Sequence, residues 1–207
     1  MNRRAASVAA ATVLLAACAH LPTGTDALTF EQRREMLQST PAWEMRGRLT
    51  VDTGERSFQG SFNWRQQDES LDLVVRGPLR NGVLRVEGQP NALKVTARGD
   101  TRTLTDPETE LSELIGWWLP VASLPRWLLG FPDEGFPAVT RFGADGTLVT
   151  LEQRLWHVDY PAYGLAAPDG DLGIAVLVPR RMELTHDALA LTLTIDDWTP
   201  TRATAVP

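Results

Sequence analysis

The stretch Ser57-Phe58-Gln59-Gly60-Ser61-Phe62-Asn63-Trp64-Arg65 decides the fold class, because apolar and polar residues alternate along all of it. Phe58, Gly60, Phe62 and Trp64 fall on one side of an extended chain, and the polar residues fall on the other. Successive side chains of a strand point to opposite faces of a sheet. The alternation therefore predicts a β-strand with one dry face and one solvated face.

The same period of two occurs on both sides of this stretch. Upstream, Met45, Gly47, Leu49 and Val51 alternate with polar residues. Further strands are predicted over residues 71–75, 83–87, 93–97, 101–104, 148–153, 156–160, 174–184 and 189–195. About ten strands at this spacing, separated by turn residues, favour a mainly β domain built as a barrel or a sandwich.

The middle of the chain changes to a helical period. Leu111, Leu114, Ile115 and Trp118 are spaced i, i+3, i+4 and i+7, after a capping position at Thr105 or Asp106. This spacing predicts an amphipathic helix that Pro120 ends. A second short helix is predicted from Ser123, carrying Leu124, Trp127 and Leu128. The insert over residues 106–130 is interpreted as a lid or plug on the β domain.

The N-terminus has the pattern of an export signal. Arg3 and Arg4 precede an uncharged run over residues 5–17, which is too short to cross a hydrocarbon core of roughly 30 Å. Leu15-Ala16-Ala17-Cys18 ends this run and resembles the lipobox at which bacterial lipoproteins are lipidated on cysteine. Ordinary signal cleavage after Ala19 is the alternative. Position 19 is Ala rather than Asp, which by enteric-type sorting predicts transfer to the outer membrane.

These features divide the chain into four segments. Residues 1–17 are the signal peptide, and 18–40 form a lipidated tether with a short helix predicted over 30–37. Residues 41–198 are the β domain, and 199–207 are a tail. Loss of the two N-terminal arginines leaves 18 basic and 26 acidic residues, a net charge near −8. Such a charge argues against nucleic acid as a partner, so membrane attachment is expected to come from acyl chains on Cys18.

No pattern of catalytic or metal-ligating residues is found. The three histidines, His20, His157 and His186, have no partner at metal-ligand spacing, and Cys18 is the only cysteine. The chain is therefore expected to be no enzyme and to hold no metal or cofactor, although a hydrolase of unfamiliar type stays open.

A group of large apolar side chains is the candidate site. Such residues fill a core by default, but a closed sheet of about ten strands is wider than the roughly eight that side chains alone fill. An apolar cavity covered by the helical insert is therefore favoured over a plain core. Its candidate residues are Phe58, Phe62, Trp64, Leu114, Trp117, Trp118, Trp127 and Leu128.

The segment Gly77-Pro78-Leu79-Arg80-Asn81-Gly82 predicts a tight hairpin with Leu79 at its tip. A projecting leucine among arginines suits the boundary between lipid headgroups and acyl chains. A leucine folded back onto its own hairpin is the equal alternative.

Together these motifs resemble the LolB family. The resemblance covers nearly all of residues 40–198 and depends on the order of several individually weak motifs, since Arg80-Asn81 departs from the small residues common after the hairpin leucine. The motifs are Cys18 in its lipobox, Met45-Arg46-Gly47-Arg48-Leu49, Phe62-Asn63-Trp64-Arg65-Gln66, Gly77-Pro78-Leu79, Gly116-Trp117-Trp118-Leu119-Pro120-Val121, Leu124-Pro125-Arg126-Trp127-Leu128-Leu129-Gly130, Trp156-His157-Val158-Asp159-Tyr160 and Leu193-Thr194-Ile195-Asp196-Asp197-Trp198.

The resemblance implies an unclosed antiparallel β-barrel of about 10–11 strands with a short helical lid inserted mid-chain. It implies a monomeric receptor that takes acylated lipoproteins from the periplasmic carrier LolA and releases them into outer-membrane phospholipid. Trp117, Trp118 and Trp127 would form the lid, Phe62 and Trp64 the cavity wall, and Leu79 the membrane contact. A soluble LolA-like carrier, an envelope lipid hydrolase and a structural lipoprotein without cargo are the competing hypotheses.

Overall fold

The structure is a computed structural model and describes residues 28–77, 83–166 and 176–200. Within these ranges the chain forms three helices and one antiparallel sheet of eleven strands. The helices are α1 (Phe30–Gln38), α2 (Pro107–Ile115) and α3 (Leu124–Leu128). The strands are β1 (Ala42–Asp52), β2 (Ser57–Gln67), β3 (Ser70–Arg76), β4 (Val83–Gln89), β5 (Ala92–Ala97), β6 (Asp100–Leu104), β7 (Ala138–Phe142), β8 (Leu148–Gln153), β9 (Trp156–Ala166), β10 (Val176–His186) and β11 (Leu189–Pro200).

The sheet is open. Its strand order is β6-β5-β4-β3-β2-β1-β11-β10-β9-β8-β7, so β6 and β7 are the two edges and do not pair with each other. Helices α2 and α3 are inserted at this gap, between the two edge strands in sequence. The predicted fold class, a mainly β, unclosed antiparallel architecture with a helical insert, is confirmed.

Antiparallel pairing of chain neighbours places the strand connections along two rims of the sheet. We call the rim that carries the connections after β1, β3, β5, β8 and β10 the first rim. The second rim carries those after β2, β4, β7 and β9. Helix α1 begins at the second rim, where a Cβ on Gly146 in the β7–β8 turn would lie 3.4 Å from the backbone nitrogen of Phe30.

The alternation read from the sequence produces the buried face of the sheet. Trp43, Met45, Leu49 and Val51 of β1 are buried, while the residues between them are more exposed. Gly47 continues this face without a side chain, because a Cβ there would collide with the Thr194 carbonyl and touch the Phe62 ring. The glycine thus leaves room for the register shift of the β1–β11 ladder at Arg46/Gly47 and for the Phe62 ring against the backbone.

Helix α2 is shorter than the sequence pattern predicted. It ends at Ile115 because Gly116 adopts a left-handed φ of +88°, which stops helical propagation well before Pro120. Trp118 therefore lies beyond the helix and does not continue its apolar stripe.

One strand was missed in the sequence. Strand β7 is an edge strand whose side chains are mostly exposed, so it shows no apolar alternation. Strands β9 and β10 also extend beyond the predicted bounds. Among the described residues, no helix has both the length and the apolar character needed to cross a bilayer.

Candidate functional site

An apolar cavity of about 460 Å³ lies between the sheet and the helical insert. Strands β1 to β5 and β11 form its wall, and α2, α3 and the segment between them cover it. The apolar lining comprises Leu49, Val51, Phe58, Phe62, Trp64, Leu73, Val75, Val83, Leu84, Val86, Ala97, Leu191 and Leu193 from the sheet and Leu111, Ile115, Trp117, Leu119, Leu124 and Leu128 from the insert. Its volume lies within the roughly 300–1,000 Å³ of ordinary ligand sites.

Five of the residues singled out in the sequence line this cavity. Phe58, Phe62 and Trp64 reach it from β2, and Trp117 and Leu128 reach it from the insert. The three aromatic residues share one face of β2, so a single alternating strand supplies a continuous aromatic wall. Phe62 and Trp64 are buried, whereas Phe58 is 41% exposed at the first rim.

Three other candidates do not line the cavity. Trp127 is fully buried against the sheet, and its indole N–H donates a hydrogen bond of 2.8 Å to Gln153 Oε1. The Tyr160 hydroxyl donates to the Trp127 carbonyl at 3.1 Å. Neighbouring residues of a helix point about 100° apart, so Leu128 faces the cavity while Trp127 fixes α3 to β8 and β9.

Trp118 and Leu114 are also absent from the cavity lining. The Trp118 ring packs 5.2 Å from the guanidinium carbon of Arg154 and 5.7 Å from the His186 ring. Leu114 is 40% exposed on α2 and is not among the residues that line the cavity. The expectation that these two side chains face the cavity is therefore corrected.

The indole of Trp64 meets its polar requirement inside the apolar wall. Its N–H donates to Gln66 Oε1 at 2.9 Å, and the Gln66 amide in turn donates to the Asp68 carbonyl at 2.8 Å. The ring stacks on Trp43 with a centroid distance of 6.3 Å. Since no donor of this indole is left unpaired, the wall presents only apolar surface at this position.

Arg154 joins the helical insert to the sheet. In the turn between β8 and β9, its guanidinium donates to both Glu108 oxygens, at 2.8 and 2.6 Å. The same group lies 3.3 Å from Ser123 Oγ and 4.1 Å from the centre of the Phe136 ring. The sequence around Glu108 gives no sign of this contact, because Arg154 lies 46 residues further along the chain.

The cavity opens at the first rim. Its lining there includes Thr53 and Arg56 of the β1–β2 turn, Gly77 after β3 and Arg98 after β5. Val83 and Phe58, which also line the cavity, are close to half exposed at this rim. We call this opening the mouth.

No chemistry other than apolar binding is indicated by the described residues. Within the described ranges, no group of three or more His, Cys, Asp or Glu could hold a metal ion. Burial raises the pKa of Tyr160 and of Tyr163, so both phenols stay protonated. Tyr163 uses its proton to donate to the Leu148 carbonyl at 2.9 Å, a structural contact.

The sequence patterns predicted only part of the cavity wall. Leu73, Val75, Leu84, Val86, Leu191 and Leu193 line the cavity but were read only as strand residues. The alternation that predicted their strands also marked their buried face. It does not distinguish a residue that borders empty space from one that is packed. Cys18 and Leu79 lie outside the described residues.

The fold and the cavity define a class of protein in which an open antiparallel sheet and a helical insert enclose an apolar cavity. Two solved structures have the same overall fold. A DUF1329 family protein from Desulfovibrio piger aligns with a TM-score of 0.52 and 7% identity over 85% of this chain and 93% of its own. A LolA superfamily protein from Nitrosomonas europaea aligns with a TM-score of 0.50 and 10% identity over 87% and 96%.

The sequence comparison is more specific. The family model "Outer membrane lipoprotein LolB" matches residues 41–198. An outer-membrane lipoprotein LolB from Pseudomonas aeruginosa is 31% identical over 97% of this chain and 98% of its own length. A relative of the same name from Pseudomonas savastanoi is 30% identical over 84% and 82%. The chain belongs to the LolB family of outer membrane lipoproteins.

Proposed function

We propose that this protein is a receptor anchored in the outer membrane by lipid on Cys18, facing the periplasm, that incorporates acylated lipoproteins into that membrane. It accepts each cargo from a soluble periplasmic carrier of the LolA type and shelters the acyl chains in the apolar cavity. The observation that carries the proposal is the cavity itself. Its lining is almost entirely apolar, and the cavity opens at the first rim.

The physical need for such a site is large. Exposing an acyl chain of about 15 carbons to water costs on the order of 10 kcal/mol, at about 0.8 kcal/mol per methylene. A triacylated cargo therefore needs apolar cover at each step between membranes. Membership of the LolB family supports the assignment to lipoprotein localisation.

The chain itself supplies binding and release rather than covalent chemistry. Phe62 and Trp64 offer flat, rigid surfaces along an acyl chain, and Leu128 and Trp117 cover it from the insert. Release requires the cover to move, and the Glu108–Arg154 pair holds that cover closed. Transfer would then run downhill, from a carrier site to this cavity and on to the bilayer. Leu79 is proposed to touch the bilayer during deposition.

Transfer of a real cargo tests this function. A lipoprotein bound to its purified carrier is mixed with the full mature protein and with vesicles, and cargo is measured in the floated vesicle fraction. We expect deposition to require the protein, and we expect Leu79→Glu to keep cargo binding while blocking deposition. Cargo that stays on the carrier in the presence of the unsubstituted protein would contradict the proposal.

A soluble carrier is the second candidate, because the fold matches a LolA superfamily structure. Lipidation distinguishes the two. Mass spectrometry of the mature N-terminus should find the acyl groups on Cys18, whereas an unmodified N-terminus would favour the carrier.

A further inference from the structure

The β8–β9 turn has an unusual composition for its geometry. Gln153 pairs with Trp156, so Arg154 and Leu155 alone form the turn. Both have left-handed φ values, +53° and +64°. Two-residue hairpins of this kind strongly favour Asn-Gly, and a leucine in the left-handed region is sterically disfavoured.

Leu155 gains nothing from packing that would offset this conformation. Its side chain is 86% exposed, more than any other large hydrophobic residue in the described ranges. The turn is nevertheless fixed, because Arg154 is held by Glu108, Ser123, Trp118 and Phe136. Leu155 is thus a projecting apolar side chain on a turn with a fixed base.

This turn shares the first rim with the mouth. Along the rim it neighbours the β10–β11 turn, which neighbours the β1–β2 turn at the mouth. Four strand spacings separate it from the β1–β2 turn, about 20 Å along the rim. At the mouth, the guanidinium groups of Arg56 and Arg98 form no ion pair with any described residue.

Two other exposed apolar side chains lie close to this turn. The Phe136 ring, which is 42% exposed, lies against Arg154, and Val139 is exposed opposite Glu152 in the β7–β8 pair. The rim also carries Glu55, Asp100 and Asp187, so both signs of charge are present. Electrostatic attraction alone would not hold such a rim on anionic lipid, which leaves the apolar tip as the decisive group.

We propose that Leu155 is a membrane-contacting residue that enters the headgroup–acyl boundary of the bilayer receiving the cargo. This inference rests on the proposed function, which makes that bilayer the acceptor. The surface of one leucine and two other exposed apolar side chains, Phe136 and Val139, is far smaller than the roughly 1,000 Å² of a stable protein interface. It suits shallow insertion into a bilayer to which the lipid on Cys18 already holds the protein.

Site-specific labelling tests the contact. The full mature protein carries its Cys18 sulfur as a thioether, so Leu155→Cys supplies the only free thiol for a polarity-sensitive fluorophore. The labelled protein is placed in phosphatidylethanolamine–phosphatidylglycerol vesicles that contain a lipid with a nitroxide on its acyl chain. We expect a blue shift and strong quenching at position 155.

The matched control is Leu165→Cys. Leu165 is also an exposed leucine, 56% accessible, but it lies near the second rim. We expect its label to stay unquenched. Equal quenching at both positions, or quenching at neither, would overturn the proposal. So would a label at 155 that only the carrier shields, since the partner would then be a protein.

A second variant separates contact from folding. Glycine suits the left-handed φ, so Leu155→Gly should leave the free energy of unfolding unchanged or higher while slowing cargo deposition by roughly tenfold, the scale of one leucine transferred to an apolar phase. Unchanged deposition would overturn the proposal. If the unsubstituted protein deposits no cargo, the receptor function fails instead, and the label at 155 still reports separately on membrane contact.

Discussion

At the scale of single residues, Arg154 is the most connected charged side chain of the site. Its bidentate contact to Glu108 is half-buried, and its flat guanidinium also packs on the Trp118 and Phe136 rings. An arginine can make both kinds of contact at once, which a lysine cannot. The pair therefore sets how firmly the helical insert is held on the sheet.

Arg154→Met tests this role. The substitution leaves Glu108 without its cation and should lower the free energy of unfolding by about 1–3 kcal/mol, measured by urea denaturation. A loosened cover should also admit a fluorescent acyl probe faster. Arg34→Met is the control, because the Arg34 pairs with Glu31 and Glu134 are exposed and should contribute close to nothing. Equal stability losses would show that the Arg154 pair does not hold the insert.

Arg33, unlike Arg154, is a buried arginine without an acidic partner among the described residues. Its side chain is 2% exposed in α1, and its guanidinium nitrogens have no hydrogen-bond partner among the described residues. The group lies among the rings of Phe30, Phe131 and Tyr163, at 5.2 to 5.8 Å. Burial lowers the pKa of Arg33, which reflects the desolvation of its charge.

We expect Arg33→Met to be neutral or stabilising by up to about 2 kcal/mol. Methionine keeps the apolar stem between the rings and removes a poorly solvated charge. Chemical denaturation of the two proteins gives the difference. A clear loss of stability would mean that the cation–π contacts outweigh desolvation.

At the scale of elements, the short helix α3 divides its neighbouring side chains between two tasks. Trp127 is packed against the sheet and hydrogen-bonded to Gln153, while Leu128 lines the cavity. Trp117, just beyond α2, lines the cavity without such a hydrogen bond. Different residues of the insert therefore hold it on the sheet and line the cavity.

A pair of substitutions should separate these tasks. Trp127→Ala should cost about 3–5 kcal/mol of stability, as for other buried aromatic residues. Trp117→Ala should weaken acyl-probe binding with a stability loss of about 1 kcal/mol. Thermal denaturation and probe titration measure the two effects. The division fails if Trp117→Ala unfolds the protein or if Trp127→Ala only weakens binding.

The same elements show why the sequence predicts the fold better than the site. Strand β2 alternates because one face is dry, so its strand and its cavity-facing aromatics followed from one pattern. Strand β7 has no dry face and left no such signal. Trp118 and Trp127 do not line the cavity as predicted. The left-handed Gly116 ends α2 before Trp118, and the rotation along the short helix α3 turns Trp127 toward the sheet. The spacing of apolar residues in the sequence predicts neither an exposed edge strand nor which neighbouring element a buried side chain contacts.

At the scale of the whole molecule, the N-terminal attachment and the mouth lie on opposite rims. Helix α1 begins at the second rim, and the mouth is at the first. Nine residues lie between Cys18 and Leu28, so the ten residue-to-residue steps of the tether span at most about 35 Å. An eleven-residue strand is about as long. The mouth and Leu155 can therefore reach the anchoring membrane if the tether extends or the sheet lies along the surface.

All of this depends on whether the space between sheet and insert takes up an acyl chain. The most direct measurement is a titration of a fluorescent fatty acyl probe into the full mature protein, compared with Val75→Trp and Val139→Trp. Val75 borders the cavity, so an indole there should fill it, whereas Val139 is exposed on the edge strand. We predict saturable binding that Val75→Trp abolishes and Val139→Trp preserves. Binding that is absent from the unsubstituted protein, or that survives the filled cavity, would contradict the account.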